Sequence, residues 1–398
     1  MTTKTFLFHS TLFLLLFPWQ RALAGDAKLE FWNRQRKGAN GDCADASPEW
    51  FQAARRTGIE FVRFSPAGMK SESRDFLLGN ADHYTGIPAK DLKLLQDVLD
   101  RAEKHGIKVV LTMFSLPGAR WRQQNNYEFD YRLWMDEAYH VQAASFWRDL
   151  ARQLRGHPAV VGYNPLNEPH PERKDGFESG NSESFHRWLA AQKGKSADLD
   201  LFYRRVIKAI REVDQTTPII LDTRFHATPE GFRFQLPVDD PAVLYSFHFY
   251  DPWEYTTFRV NQGRFQYPDC MPGDREGQTI SWKSAELSQR LEPVISWAKR
   301  HGVPNHRILA GEFGCDRRVA GAKAYLKVLL RLFNAQGWHW AFYSFRSSDW
   351  DGMDYELGTR GLGQQYWQDR EAGKPHEALI QRRDNPLWDV LKSQFPKP

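Results

Sequence analysis

Eight times between Phe31 and Phe345 a short apolar or β-branched run gives way to an amphipathic stretch, and this alternation constrains the fold more than any other feature. The runs are Phe31–Asn40, Ile59–Ser65, Lys108–Phe114, Val160–Leu166, Pro218–Thr223, Leu244–Tyr250, Arg307–Gly314 and His339–Phe345. The intervening stretches carry apolar residues at helical spacing, as Leu92, Leu95, Val98, Leu99 and Ala102 do within Asp91–His105. Glu137–Leu154, Leu201–Val213, Leu287–Lys299 and Ala320–Asn334 read the same way, and Gly106, Gly156, Gly302 and Gly337 follow as helix stops. Strand and helix alternating in this manner require a parallel sheet covered by helices. Eight units in one chain favour a closed (β/α)8 TIM barrel over an open sheet.

Such barrels usually need about 250 residues, and this chain has 398. The excess falls mainly in segments 66–90, 170–200 and 251–285, which follow strand C-termini. That is the face where barrels of this kind build their sites, so long βα loops there are expected to shape a groove. No low-complexity linker or internal repeat interrupts the chain after residue 25, so 25–398 reads as one catalytic barrel.

Residues 1–24 read as a signal peptide: Lys4, the apolar run Phe6–Phe17, and Ala22-Leu23-Ala24 as a cleavage site. The apolar run is too short to span a bilayer, and the expected address is periplasmic or secreted, with no membrane span after cleavage. Loss of Lys4 and Arg21 lowers the net charge from +5 to +3, which offers no electrostatic case for nucleic acid. An oxidising address would permit one disulfide among Cys43, Cys270 and Cys315. Either Cys270 or Cys43 could partner Cys315. No Cys/His cluster points to a zinc site, and no cofactor is called for.

Two carboxylates stand at strand ends: Glu168 after Val161-Gly162-Tyr163-Asn164-Pro165-Leu166-Asn167, and Glu312 in Ala310-Gly311-Glu312-Phe313-Gly314. A barrel brings the ends of its fourth and seventh units to one cleft. Facing carboxylates are the minimum machinery for cutting a glycosidic bond, one donating a proton and the other attacking the anomeric carbon. An aromatic content of 14%, with 15 Trp, suits flat, sparsely charged ligands such as sugar rings.

Asn167-Glu168-Pro169 and Gly311-Glu312-Phe313-Gly314 resemble the acid/base and nucleophile motifs of family 5 glycoside hydrolases, the cellulase-like retaining glycosidases. Gly38-Ala39-Asn40, Val62-Arg63-Phe64 and His248-Phe249-Tyr250 resemble further motifs of that family, in the same order. The resemblance implies that Glu168 is the acid/base and Glu312 the nucleophile. It implies that Asn167 binds the sugar 2-hydroxyl, that Arg63 keeps Glu312 ionised, that Tyr250 donates to Glu312, and that His248 steers protonation. Glu168 would then hold the higher pKa of the pair.

Two positions depart from the family pattern. Phe114 stands where a His is usual, and Tyr343 where a Trp platform is usual. Loop aromatics Trp121, Trp253, Trp282 and Trp350 are candidate sugar platforms, with Asp349 and Asp351 as possible hydroxyl ligands. The expected activity is retaining hydrolysis of a β-linked, β-glucan-like polysaccharide or oligosaccharide by a monomer. A silent carbohydrate-binding barrel and a transglycosylase on the same scaffold are the alternatives.

Overall fold

A computed structural model describes residues 27–273, 277–347 and 351–397. Residues 1–24, expected to be a signal peptide, and Asp349 and Trp350 lie outside the described residues, as does the side chain of Asp351. Eight parallel strands close into a barrel: β1 (Lys37–Asp42), β2 (Phe61–Ser65), β3 (Lys108–Thr112), β4 (Val160–Asn164), β5 (Ile219–Asp222), β6 (Val243–Phe249), β9 (Ile308–Phe313) and β10 (His339–Phe342). Closure is by β1 on β10, with Gly38 opposite Ala341. An antiparallel hairpin, β7 (Asp269–Pro272) with β8 (Thr279–Trp282), lies in the long segment after β6.

Strand periodicity explains how the barrel positions its chemistry. Side chains two apart face the same side of a strand. Phe61, Val110, Ile220, Leu244 and Leu309 form an apolar layer inside the barrel. Two residues further along the same strands stand Arg63, Thr112, Asp222, Ser246 and Gly311. The layer nearest the C-terminal mouth is therefore mostly polar, because the inward-facing alternation changes from apolar to polar at that level on four of these five strands, with Gly311 on the fifth. The residues between, such as Val62, Phe64, Val109 and Leu111, pack outward into the core beneath the helices.

The first expected strand, Phe31–Asn40, is corrected at its start. Ala27–Glu30 is helical, Phe31–Asn33 is a 3₁₀ turn, and the strand begins only at Lys37. Trp32 is fully buried inside the apolar layer, and its Nε1 donates to the Val161 carbonyl at 2.9 Å. It plugs the barrel at the end opposite the polar layer. The expected helix Leu287–Lys299 is also divided, into Ser284–Arg290 and Glu292–His301. Pro293 cannot donate its backbone nitrogen and so starts the second helix.

The remaining expected helices form as Ala89–Lys104, Glu137–Leu154, Leu199–Arg211 and Ala322–Gln336. Gly302 and Gly337 end theirs in the left-handed conformation. Cys43, Cys270 and Cys315 are all free thiols, so neither bridge weighed for Cys315 is formed. Burial pushes the Cys315 thiol well up, away from the thiolate form that would make it reactive. Among the described residues no helix is long and apolar enough to cross a membrane.

Candidate active site

The polar layer converges on Arg63. Its Nη1 donates to Glu312 Oε1 at 2.6 Å and to Asn40 Oδ1 at 3.2 Å. Its Nη2 donates to Asn164 and Asn167 Oδ1, both at 2.7 Å, and to Asp222 Oδ2 at 3.2 Å. Arg63 and Asp222 side chains are fully buried. A planar guanidinium can satisfy several acceptors in its own plane, which a Lys ammonium cannot.

Glu312 stands one residue before the end of β9 with both oxygens held: Oε1 by Arg63, and Oε2 by the Tyr250 hydroxyl at 2.8 Å. Gly311 before it is required by packing, because a Cβ there would collide with Ser246 Oγ on the neighbouring strand β6. Glu168 follows β4 on a left-handed residue with φ of 49°. Its backbone N–H points to Asp222 Oδ2 at 3.3 Å, and its Oε1 lies 2.8 Å from His248 Nδ1. His248 Nδ1 is also 3.7 Å from Glu312 Oε2, and its Nε2 is 3.5 Å from Asp222 Oδ2. One oxygen of each glutamate and a ring nitrogen of His248 all lie within 4.8 Å of one another.

That limit suits the carboxylate spacing of retaining glycosidases, about 5–5.5 Å, and falls short of the roughly 6.5–9.5 Å at which an inverting pair seats a water beside the sugar. Two carboxylates and an imidazole could also ligate a divalent cation. Here, however, both Glu312 oxygens are already engaged by Arg63 and Tyr250, so the arrangement is that of a hydrogen-bonded pair.

Burial is the largest influence on Glu312 and pushes its carboxyl above the ordinary range, while His248 and Arg63 pull it back. The sequence-based expectation counted Arg63 alone; desolvation outweighs it. Burial lowers His248, but Glu312, Asp222 and Glu168 outweigh it and leave the imidazole more basic than usual. Burial drives the Tyr250 phenol well up, so it stays a neutral donor.

The cleft has two lobes. The larger, about 850 Å³, is lined by Glu168, His170, His226, Tyr250 and Trp253 among others. The smaller, about 230 Å³, is lined by Asn40, Arg63, Thr112, Gln124 and Tyr343. Phe114 and Trp121 line both and meet edge to face at 4.9 Å, so an apolar edge stands at the usual His position. Glu312 ties the lobes together, since Arg63 lines one and Tyr250 the other. Its side chain is 6% exposed and that of Glu168 18%, which puts the more open acid against the larger lobe.

The structure thus brings together Arg63, Asn167, Glu168, His248, Tyr250 and Glu312, and places Tyr343, Trp121 and Trp253 around them. Trp253 is 56% exposed on the larger lobe. Trp282 is excluded as a platform: it is buried, with its Nε1 bonded to the Pro272 carbonyl at 3.0 Å. Asp222, Asn164, His170 and His226 escaped the sequence reading. Asp222 carried a usable signal, a lone acid closing a β-branched strand as Glu312 does.

Residues 35–349 match the cellulase family, glycosyl hydrolase family 5. Endoglucanase C of Acetivibrio thermocellus is 25% identical over 311 residues, covering 71% of this chain and 80% of that enzyme. Cellodextrinase A of Ruminococcus flavefaciens is 21% identical over 251 residues, covering 61% and 64%. A hyperthermophilic endo-β-1,4-glucanase solved with substrate shares the fold, with TM-score 0.60 and 16% identity over 92% of this chain and 99% of that one. With strand-end carboxylates facing each other across a barrel mouth and a family match over most of its length, the chain belongs to the cellulase family, glycosyl hydrolase family 5.

Proposed function

We propose that the protein is an exported retaining β-glycosidase that cleaves a β-glucan-like polysaccharide or oligosaccharide by double displacement. The observation that carries this reading is the 4.8 Å limit on the separation of the Glu168 and Glu312 oxygens. Similarity to endoglucanase C and cellodextrinase A supports β-glucan as the substrate class.

The sugar that becomes covalently held occupies the smaller lobe, beside Arg63, Asn40 and Tyr343, and the leaving chain occupies the larger one beside Glu168. Glu168 protonates the glycosidic oxygen as Glu312 attacks the anomeric carbon. The C–O bond to the leaving chain breaks and a glycosyl ester forms on Glu312. Glu168, now ionised, takes a proton from a water that enters the larger lobe and attacks the same carbon. Two inversions give net retention. Asn167, held by Arg63 Nη2, keeps its amide N–H free for the sugar 2-hydroxyl, a contact that strengthens in the transition state.

The test is turnover of a β-glucan panel by wild type, Glu168→Gln and Glu312→Gln, with NMR of the first-formed anomer. Both variants are expected to lose about 10³-fold or more, and the first product to be the β-anomer. Full activity in either variant, or a first-formed α-anomer, overturns the mechanism. Export rests on Lys4, Phe6–Phe17 and Ala22-Leu23-Ala24. A mature N-terminus at Gly25 in the exported fraction checks it, and an uncleaved chain in the cytoplasm refutes it.

A further inference from the structure

His170, two residues beyond Glu168, lines the larger lobe and plays no part in the double displacement as described. Its Nδ1 lies 2.7 Å from the backbone carbonyl of Glu168. A carbonyl can only accept, so Nδ1 carries the proton and donates. Glu168 is itself in the left-handed region, which a non-glycine residue adopts only against a steric penalty. Its two backbone polar groups are both held, the N–H by Asp222 and the C=O by His170.

His170 is in turn braced. The His226 ring stacks on it with centroids 4.1 Å apart and planes 20° apart. His226 stands on three successive left-handed residues, Phe225, His226 and Ala227, with φ of 56°, 55° and 61°. Such a run of non-glycine residues persists only where its surroundings over-determine it. Here Glu172 Oε1 accepts from the Phe225 N–H at 2.8 Å, and the Thr223 hydroxyl donates to the Thr228 carbonyl at 2.8 Å. The His226 N–H reaches the Pro169 carbonyl at 3.3 Å, closing the turn back onto the Glu168 segment. Arg173 Nη1 donates to His226 Nε2 at 3.3 Å, which sets the other ring's tautomer. Two strained backbone segments from different strands therefore meet through one pair of stacked imidazoles.

We propose that His170 is a positioning residue: it locks the left-handed backbone of Glu168 so that the carboxyl faces the leaving oxygen, and His226 is its brace. This rests on the reading of Glu168 as the acid/base. The substrate need not touch either imidazole for the effect to operate. A displacement on the order of 1 Å at a reacting group can cost about 10²-fold.

Two variants separate the hydrogen bond from the ring. His170→Asn keeps an N–H donor near the Nδ1 position and loses the stack, while His170→Phe keeps a ring on His226 and loses the donor. Each is assayed on cello-oligosaccharides, whose leaving alkoxide needs a proton, and on 2,4-dinitrophenyl β-cellobioside with added azide. Dinitrophenolate leaves unprotonated and azide needs no general base, so the second assay bypasses Glu168. His170→Phe is expected to lose about 10-fold or more in kcat/KM on oligosaccharide and less than about threefold on the aryl substrate. His170→Asn, which restores the donor without the stack, is expected to recover most of the oligosaccharide activity that His170→Phe loses. His226→Leu, which keeps both atoms of the His170–Glu168 hydrogen bond but removes the stack and the acceptor for Arg173, should show a smaller loss with the same substrate dependence, and supplies the test should His170→Phe not fold. Equal losses on the two substrates, or no loss on oligosaccharide in either His170→Phe or His226→Leu, overturn the inference. Full oligosaccharide turnover by Glu168→Gln would instead overturn the reading of Glu168 itself.

Discussion

Arg63 Nη1 lies 2.6 Å from Glu312 Oε1 in a pair almost sealed from water, the arginine side chain at 0% exposure and the glutamate at 6%. The same guanidinium reaches Asp222, so one buried cation faces two buried carboxylates. Removing two acids from water without a partner would be costly, and a buried ion pair is tolerated only where the remaining donors and acceptors are satisfied. Asn40, Asn164 and Asn167 satisfy the remaining guanidinium donors, and Thr112 donates to Asn164 Oδ1 at 2.6 Å, while Asp222 Oδ1 is buried with no hydrogen-bond partner among the described residues. The network holds Glu312, Asn167 and the Asp222 that anchors the Glu168 backbone. Fold and chemistry depend on the same cation.

Arg63→Lys should therefore damage both. A Lys ammonium retains charge but cannot span the acceptors of a planar fork, so kcat on β-glucan is expected to fall by about 10²-fold or more. Unpairing a buried carboxylate costs about 3–5 kcal/mol, and the urea midpoint should drop accordingly. A variant with wild-type kcat would show that the charge alone suffices.

Tyr250→Phe isolates the other oxygen of Glu312. The 2.8 Å hydrogen bond favours the ionised carboxylate, so its loss raises a pKa that burial has already raised. In the proposed double displacement Glu312 must be ionised to attack, so activity falls below its pKa. The acidic limb of kcat/KM should therefore move to higher pH. Hydrogen bonds to charged groups contribute about 1.5–3 kcal/mol, so kcat should fall by about 10-fold or more. An unmoved acidic limb would assign that limb to another group.

The strand-end motifs were readable because each places a chemically distinctive residue at a recurrent position in an otherwise apolar run. Asn167-Glu168-Pro169, Arg63 and His248-Phe249-Tyr250 are of this kind, and the barrel brings them together from distant parts of the chain. Trp32 was not readable as a plug. An apolar stretch has the same composition whether it runs within the sheet or lies across the barrel's end, and only closure of the sheet decides. The stacking of His170 on His226 was hidden for a different reason. It depends on a left-handed turn built from Phe225, His226 and Ala227, which contains none of the glycines that usually advertise one. The division of the helix at Pro293 had a plain signal in the proline itself.

Trp32→Ala tests the plug. Truncating a buried Trp costs about 3–5 kcal/mol, here with the added loss of the Nε1 bond to Val161. The apolar layer separates Trp32 from the polar one. The urea midpoint should fall strongly while kcat and KM at permissive denaturant-free conditions stay within about twofold. A comparable loss in kcat would mean that the lower barrel transmits distortion to the carboxylates.

Glu172→Gln should change how stability depends on pH. Burial is the dominant influence on Glu172 and raises it from 4.5 to about 7, despite Arg224 and the Phe225 N–H pulling the other way. Between those values the folded protein holds a proton that the unfolded chain has released, so rising pH favours unfolding. The contribution is fully present below 4.5 and is lost as pH rises through about 7. Gln cannot titrate but retains an acceptor for the Phe225 N–H. The neighbouring His170 and His226, which burial lowers to about 4 and about 2, give the opposite slope below pH 6.5, but both proteins share it and it cancels in the difference. Thermal midpoints of Glu172→Gln minus wild type should therefore climb from pH 4.5 to 7 and then level off, by an amount of order 2–4 kcal/mol in stability. A flat difference across that range would show that Glu172 is ionised throughout and that Arg224, rather than a shared proton, stabilises the carboxylate beneath the left-handed turn.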